Sequence, residues 1–374
     1  MKKTILSKIL LASLFVLSVS FVQAGIKKGS YAPKDVCCET YPSDTNAFLY
    51  PKDLGLACPN KFTLHADFIA MQAQEEGLEY AIENGQYEAD NILNVGEMIG
   101  FSDSHNHSWG WDAGFKLGIG FKDTKYNFFM DAEWTWLQIH QKSSLNISGN
   151  SFLNPLWAPA IMVPTTSSKC NSADWQALYN TVDLKIAYPV HLSRFIAITP
   201  HAGLRFGYIE QDYIARYSYN YIRASGINIE NFTVYNDNDY WGIGARGGLN
   251  SSLNFGGNFS LFAKFAASLL YGKFMIKQQS DIVADYDSQL KQDFYQILPN
   301  IDLGIGASFC KLLNDNKSLM TIKLGYEFHY WLHQNMMSRL RTQYTGTHGH
   351  YVLPERLKGD FSLGGIDLSV RFDF

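Results

Sequence analysis

The stretch WGWDAGFKLGIGF, Trp109–Phe121, decides the fold. Trp109, Trp111, Ala113, Phe115, Leu117, Ile119 and Phe121 occupy the odd positions, and Gly110, Asp112, Gly114, Lys116, Gly118 and Gly120 the even ones. A helix would mix the two sets. A β-strand sends alternate side chains to opposite faces, so here one face is apolar and aromatic and the other is small or charged. One such strand would also suit a soluble sandwich. What separates the two architectures is whether the scheme repeats along the chain in segments of at least about 9 to 11 residues, the length a tilted strand needs to cross a membrane.

The scheme repeats nearly throughout. Tyr126–Gln138 sets Phe128, Met130, Ala132, Trp134 and Trp136 against Asp131, Glu133 and Thr135, and Phe195–Tyr208 sets Ile196, Ile198, Leu204 and Phe206 against Thr199, His201 and Arg205. Trp241–Phe255, Phe259–Tyr271, Tyr295–Phe309, Met320–Tyr330 and Ile366–Phe374 follow the same rule, while Phe62–Ala70 and Trp175–Tyr188 fit less cleanly. The pattern predicts an all-β transmembrane antiparallel β-barrel of about ten strands, with eight or twelve as the alternatives. Short turns at 122–124, 189–193, 256–257 and 312–317 alternate with long polar connections at 75–108, 142–173, 218–238, 277–292 and 335–359. Short periplasmic turns and long extracellular loops place both termini on the periplasmic side, which requires an even strand number.

Composition agrees. Charged residues are 18%, aromatics 15% and glycines number 30, a mixture suited to a wall that is apolar outside and polar inside. Lys2, Lys3 and Lys8, an apolar run from Ile9 to Val22 and the ending Val22-Gln23-Ala24 read as a signal peptide cut after Ala24. The expected organisation is a signal peptide at 1–24, a periplasmic cysteine-bearing segment at 25–61 and the barrel at 62–374. Without the three signal lysines the chain has 28 basic and 35 acidic residues, about −7, and no basic block. Nucleic acid is thereby excluded as a partner. Export makes disulfides available to the five cysteines, Cys37, Cys38, Cys58, Cys170 and Cys310. Cys37, Cys38 and Cys58 are the disulfide candidates; because the first two are adjacent, links to other chains are expected as well as a bridge within the segment.

Aromatic residues at strand ends mark two interfacial girdles, with Trp109, Trp134, Trp136, Trp175, Trp241, Tyr295 and Tyr330 on the loop side and Phe121, Tyr126, Tyr188, Phe255, Phe259 and Phe309 on the turn side. The chain ends on an amphipathic strand closed by Phe372 and Phe374, the form of an insertion signal for outer-membrane assembly machinery. The expected location is the cell outer membrane, with its lipid as the surrounding partner.

Ionisable residues at inward positions are Asp67, Asp112, Lys116, Asp131, Glu133, Lys185, Arg205, Arg246, Lys264, Asp302, Lys323, Glu327 and Arg371. Charges are costly against lipid, so these face inward. In a wide barrel they line a pore; in a narrow one they pair and plug it. Their near balance of sign argues against strong ion selectivity. Inward glycines, Gly118 and Gly248 among them, reduce bulk and favour an open lumen, or else ease the curvature of a small barrel.

No catalytic residue, metal ligand or cofactor is assigned. Gly242–Gly247 has dinucleotide-fingerprint spacing but opens no helix. Asp103, His105 and His107 in the first loop and His348 and His350 in the fifth could meet above the barrel as a metal site, but solvated loop histidines are the default reading. His140, Asp174, His329 and His333 are the rim residues that an outer-membrane protease would have to bring together.

Glu76-Gly77-Leu78-Glu79-Tyr80-Ala81, Trp109-Gly110-Trp111 leading to Gly114, Gly118 and Gly120, then Asp131 and Trp134-Thr135 resemble the pore-forming major outer-membrane proteins of Legionella and environmental chlamydiae. The resemblance covers nearly the whole mature chain. It implies a porin for ions and small solutes, sometimes oligomeric and sometimes disulfide-linked to other outer-membrane proteins. The competing reading is a structural, crosslinked surface protein or adhesin with a plugged barrel, adhesive through its Asn-rich loop around 218–238.

Overall fold

The computed structural model describes residues 62–374 apart from 85–94, 102–109, 124–127, 147–151, 158–169, 194, 225–226, 257, 282–287, 314–317 and 345–349. The strands, in chain order, are β1 (Phe62–Glu75), β2 (Ala81–Asn84), β3 (Val95–Ile99), β4 (Trp111–Asp123), β5 (Phe128–Asn146), β6 (Phe152–Pro155), β7 (Cys170–Ala187) and β8 (Val190–His191). They continue as β9 (Ile196–Ala224), β10 (Ile227–Gly256), β11 (Phe259–Asp281), β12 (Ser288–Leu313), β13 (Ser318–Asn335), β14 (Ser338–Tyr344), β15 (His350–Arg356) and β16 (Gly359–Asp373).

Ten of these close a ring in the order β1-β4-β5-β7-β9-β10-β11-β12-β13-β16, and β16 pairs back to β1. Every pairing is antiparallel and joins strands adjacent in the ring. The seam is completed at the last residue, where Phe62 and Phe374 exchange backbone hydrogen bonds of 3.0 and 2.9 Å. The ten-strand expectation holds, and closure removes the unpaired edges that a membrane would not tolerate.

The outward face carries the expected apolar band. On β11 it runs from Phe259 through Leu261, Phe265 and Leu269 to Tyr271, all exposed. Twelve residue steps give about 40 Å of strand, and a tilt of about 40° reduces this to about 30 Å of height, near that of a hydrocarbon core. Exposed Trp134, Trp241 and Tyr295 bound the band on the loop side and Tyr188, Phe255 and Phe259 on the turn side. Trp175 is an exception to the expected girdle: it points inward and is fully buried. The alternation of its strand is obscured for the same reason, because Trp175, Ala177 and Tyr179 make the inward face of β7 apolar too.

The loop side also departs from expectation. Among the described residues, 218–224 and 227–238 are strand where a polar loop was expected: β9 and β10, of 29 and 30 residues, continue as paired strands well beyond the membrane band. Most of 277–292 is likewise the paired extension of β11 and β12. Ladder hydrogen bonds satisfy the backbone there without help from the barrel. The first, second and fifth connections contain β2, β3 and β6, which form a three-stranded sheet, and the β14–β15 hairpin. Cys170, read as a loop residue, begins β7.

Candidate pore interior

All thirteen sequence-selected charges lie on the inward parity of their strands, and most are joined to one another. Arg205 donates to both carboxylate oxygens of Asp183, at 2.6 and 2.5 Å, and its Nη1 is 2.8 Å from Asp302 Oδ2. Arg246 donates to the same Asp302, and His329 Nδ1 lies 2.7 Å from its other oxygen. Lys116 donates to Glu327 and, at 2.9 Å, to Asp367; Lys264 donates to Glu327 at 2.6 Å. Lys185 lies 2.8 Å from Asp131 and 3.3 Å from Glu133. Nearer the periplasm Arg371 pairs with Asp373, which also accepts from Thr63 at 2.6 Å.

Three members stand apart. Asp112 sits toward the extracellular side and accepts from Gln141 Nε2 at 2.7 Å. Asp67 faces His65 at 3.7 Å. Lys323 lies beside the Phe262 ring, which Lys264 also flanks. A buried charge is tolerable when paired and hydrogen-bonded, and removing one partner is then strongly destabilising.

The network includes residues outside the sequence selection: His65, Asp183, Asn300, His329, Asp367 and Asp373. Alternation already put Asp367 and Asp373 on the charged face of the last strand. Asp183 lies in the segment whose alternation was poor. The histidines carry no parity signal, since either face accepts them. Nor do the inward glycines widen the lumen as expected: a Cβ on Gly118 would meet the His65 ring, and one on Gly248 the His201 ring.

At and above the loop-side girdle the interior changes character. Trp175, Tyr179, Tyr213, Trp331 and Phe361 point inward from four strands and are fully buried. Against them pack Leu78, Tyr80, Ile99 and Phe101 from the first connection, Leu153 and Trp157 from the second, and Met336 and Met337 from the fifth. The segment Glu76–Ala81 is tied at its backbone. Tyr213 Oη donates to Leu78 O at 3.0 Å, Tyr217 Oη to Tyr80 O at 2.7 Å, and Trp157 Nε1 to Glu79 O at 2.9 Å. Arg339 donates to Gly77 O at 2.8 Å and to Glu79 O at 2.9 Å, with its guanidinium over the Trp157 ring. Gly77 has φ +88°, and a Cβ there would come 3.1 Å from Leu357, so glycine is required at this turn into the barrel mouth.

The rim residues do not converge. His140 Nε2 lies 3.2 Å from Asp174 on the outer side of the wall, whereas His329 is buried inside with Asp302. His333 is exposed at the end of β13 with φ 55°. Asp103, His105, His107 and His348, together with Cys37, Cys38, Cys58 and the signal peptide, lie outside the described residues. Cys310 is a free thiol, 3.5 Å from Thr321 Oγ1.

The family described as Legionella pneumophila major outer membrane protein precursor matches residues 57–374. The chain belongs to that family. This major outer-membrane protein therefore resides in the cell outer membrane, and its match takes in the whole barrel. No curated protein matches it. Among solved structures, the outer membrane protease OmpT from Escherichia coli is 11% identical, with 83% of this chain and 96% of that one covered and a TM-score of 0.38. The Ralstonia pickettii toluene transporter TbuX is 9% identical, covering 84% and 89%, with a TM-score of 0.29. The P. putida toluene transporter TodX is 9% identical, covering 85% and 91%, with a TM-score of 0.26. Likenesses this distant carry no argument about chemistry.

Proposed function

We propose that this outer-membrane protein is a weakly selective, gated channel for ions and small solutes, without catalytic activity, and that the conformation described here is its closed one. The observation that carries this reading is the inward face of the membrane band, where charged and amide side chains on every wall segment replace the apolar filling of a purely structural core. Near-balanced charge fits weak selectivity. Pairing between these groups keeps the interior compact until solute or field separates them.

The plugged structural alternative has its own support in the aromatic packing at the mouth. In that reading Cys37, Cys38 and Cys58 crosslink the protein to its neighbours or to further copies of itself, and the barrel only anchors it. For either reading Phe372 and Phe374 serve as the insertion signal for the assembly machinery. Planar-bilayer conductance of the refolded chain separates the two. Discrete steps, with anion preference lowered when Arg205, Arg246 and Lys264 are replaced by Gln, support the channel. Silence from folded protein, persisting when the aromatic mouth is weakened, leaves the structural reading.

A further inference from the structure

Three carboxylates and an imidazole meet on the periplasmic part of the inward face. His65 on β1 stands opposite Gly118 on β4, and Gly118 stands opposite Glu133 on β5. Because position 118 has no side chain, the imidazole lies across β4 in the space a Cβ would take. Its Nε2 thereby comes within 3.4 Å of Asp131 Oδ1 and 3.9 Å of Glu133 Oε2. The three donor atoms lie within 4.8 Å of one another. Tetrahedral ligands with bonds of about 2.0–2.2 Å stand about 3.3–3.6 Å apart, so the two imidazole–carboxylate separations are near that spacing and the carboxylate oxygens would draw together around an ion.

A second observation concerns the far side of the ring. His65 Nδ1 faces Asp67 Oδ1 at 3.7 Å, and that buried oxygen has no hydrogen-bond partner. A carboxylate behind the non-ligating nitrogen fixes the tautomer and orientation of a metal-binding histidine.

We propose that His65, Asp131 and Glu133 form a binding site for a divalent transition ion of the zinc type, oriented by Asp67, with the Lys185 ammonium holding the place of its charge in the unloaded protein. One imidazole nitrogen and two carboxylate oxygens suit Zn²⁺, Ni²⁺ or Cu²⁺, with water completing the shell. Lys185 reaches both carboxylates, at 2.8 and 3.3 Å, and its side chain is 21% exposed, so it has room to swing away as the ion enters. Lys116, on β4 between the strands of the site, is occupied by Glu327 and Asp367. Loading exchanges one bound cation for another, and no further reactant is needed.

The test is titration of the refolded full barrel in detergent with Co²⁺, read by its ligand-field absorption, and with Zn²⁺, read by calorimetry. Wild type is compared with His65→Ala, Lys185→Gln, Asp67→Asn and Gly118→Ala, each checked for barrel circular dichroism. The expected results are one ion per chain in wild type and no such site in His65→Ala. Lys185→Gln tightens binding about tenfold, equivalent to about 1.4 kcal/mol, because the competing ammonium is gone. Asp67→Asn weakens it by about 10- to 100-fold. Gly118→Ala, which keeps every ligand but displaces the ring, loses it. Absence of binding in both wild type and Lys185→Gln would overturn the proposal, as would an undiminished site in His65→Ala, which would place the ion elsewhere, or weaker binding in Lys185→Gln.

Discussion

The two ends of the barrel interior are built from opposite chemistry. Toward the periplasm the walls meet through ion pairs, among them Arg205–Asp183 and Lys116–Asp367. Toward the cell exterior they meet through rings, with Trp157 5.2 Å from Tyr213 and Tyr179 6.0 Å from Trp331, and loop segments complete the packing. An ion-pair network can exchange its partners for water or solute with limited loss, whereas an apolar contact opened to water loses its whole burial. In the proposed channel the exterior end would hold the closed state and the periplasmic end would set what passes.

The largest effect that would break this contrast comes from the rings. Replacing Trp157 by Ala removes a fully buried side chain, at about 3–5 kcal/mol, and the closed-to-open balance should shift by roughly 10² to 10⁴. Long-lived open steps in bilayer recordings are the expected result; unchanged recordings would remove the mouth from gating.

The ionic end should respond differently to single and double changes. Arg205→Gln or Asp183→Asn alone should cost about 3–5 kcal/mol in urea unfolding, while the pair replaced together by apolar residues of similar volume should be near neutral. Equal losses for single and double variants would mean that the pair itself holds the barrel together.

Tyr213→Phe removes only the hydrogen bond to Leu78 O. It should cost about 1 kcal/mol and shorten closed times without altering ion preference, measured on single channels. The smallest effect belongs to His333, whose φ of 55° is unfavourable for a side chain. His333→Gly should gain about 0.5 kcal/mol by unfolding, because relief of left-handed strain exceeds the added chain entropy, and conductance should not change.

Much of the barrel was legible before any coordinates. The alternation of Phe259–Tyr271 and Ile366–Phe374, the even strand number and the inward charges all follow from a period of two between lipid and interior. The Glu76–Ala81 segment was legible as a family signature but not as a plug, since nothing in its residues says that they turn back into the barrel. Residues 218–238 look polar although their described part is paired strand, because a strand carries an exposed Asn231 or a buried Asn236 and Asn238 as readily as a loop does. Trp175 shows the same ambiguity in reverse, because an aromatic at a strand end suits an interfacial girdle and a buried core equally well.

What the sequence determined by itself is the wall: which face of each strand meets lipid, and hence the fold, its closure and its place in the outer membrane. That information is local, carried by neighbours two residues apart. What only the tertiary structure decided is the content of the wall's interior, including which carboxylate meets which cation, how His65 reaches across Gly118, and which loop residues close the mouth. Those contacts join positions as far as 310 residues apart, as in Thr63 and Asp373. They depend on strand register and barrel curvature, which no local pattern encodes.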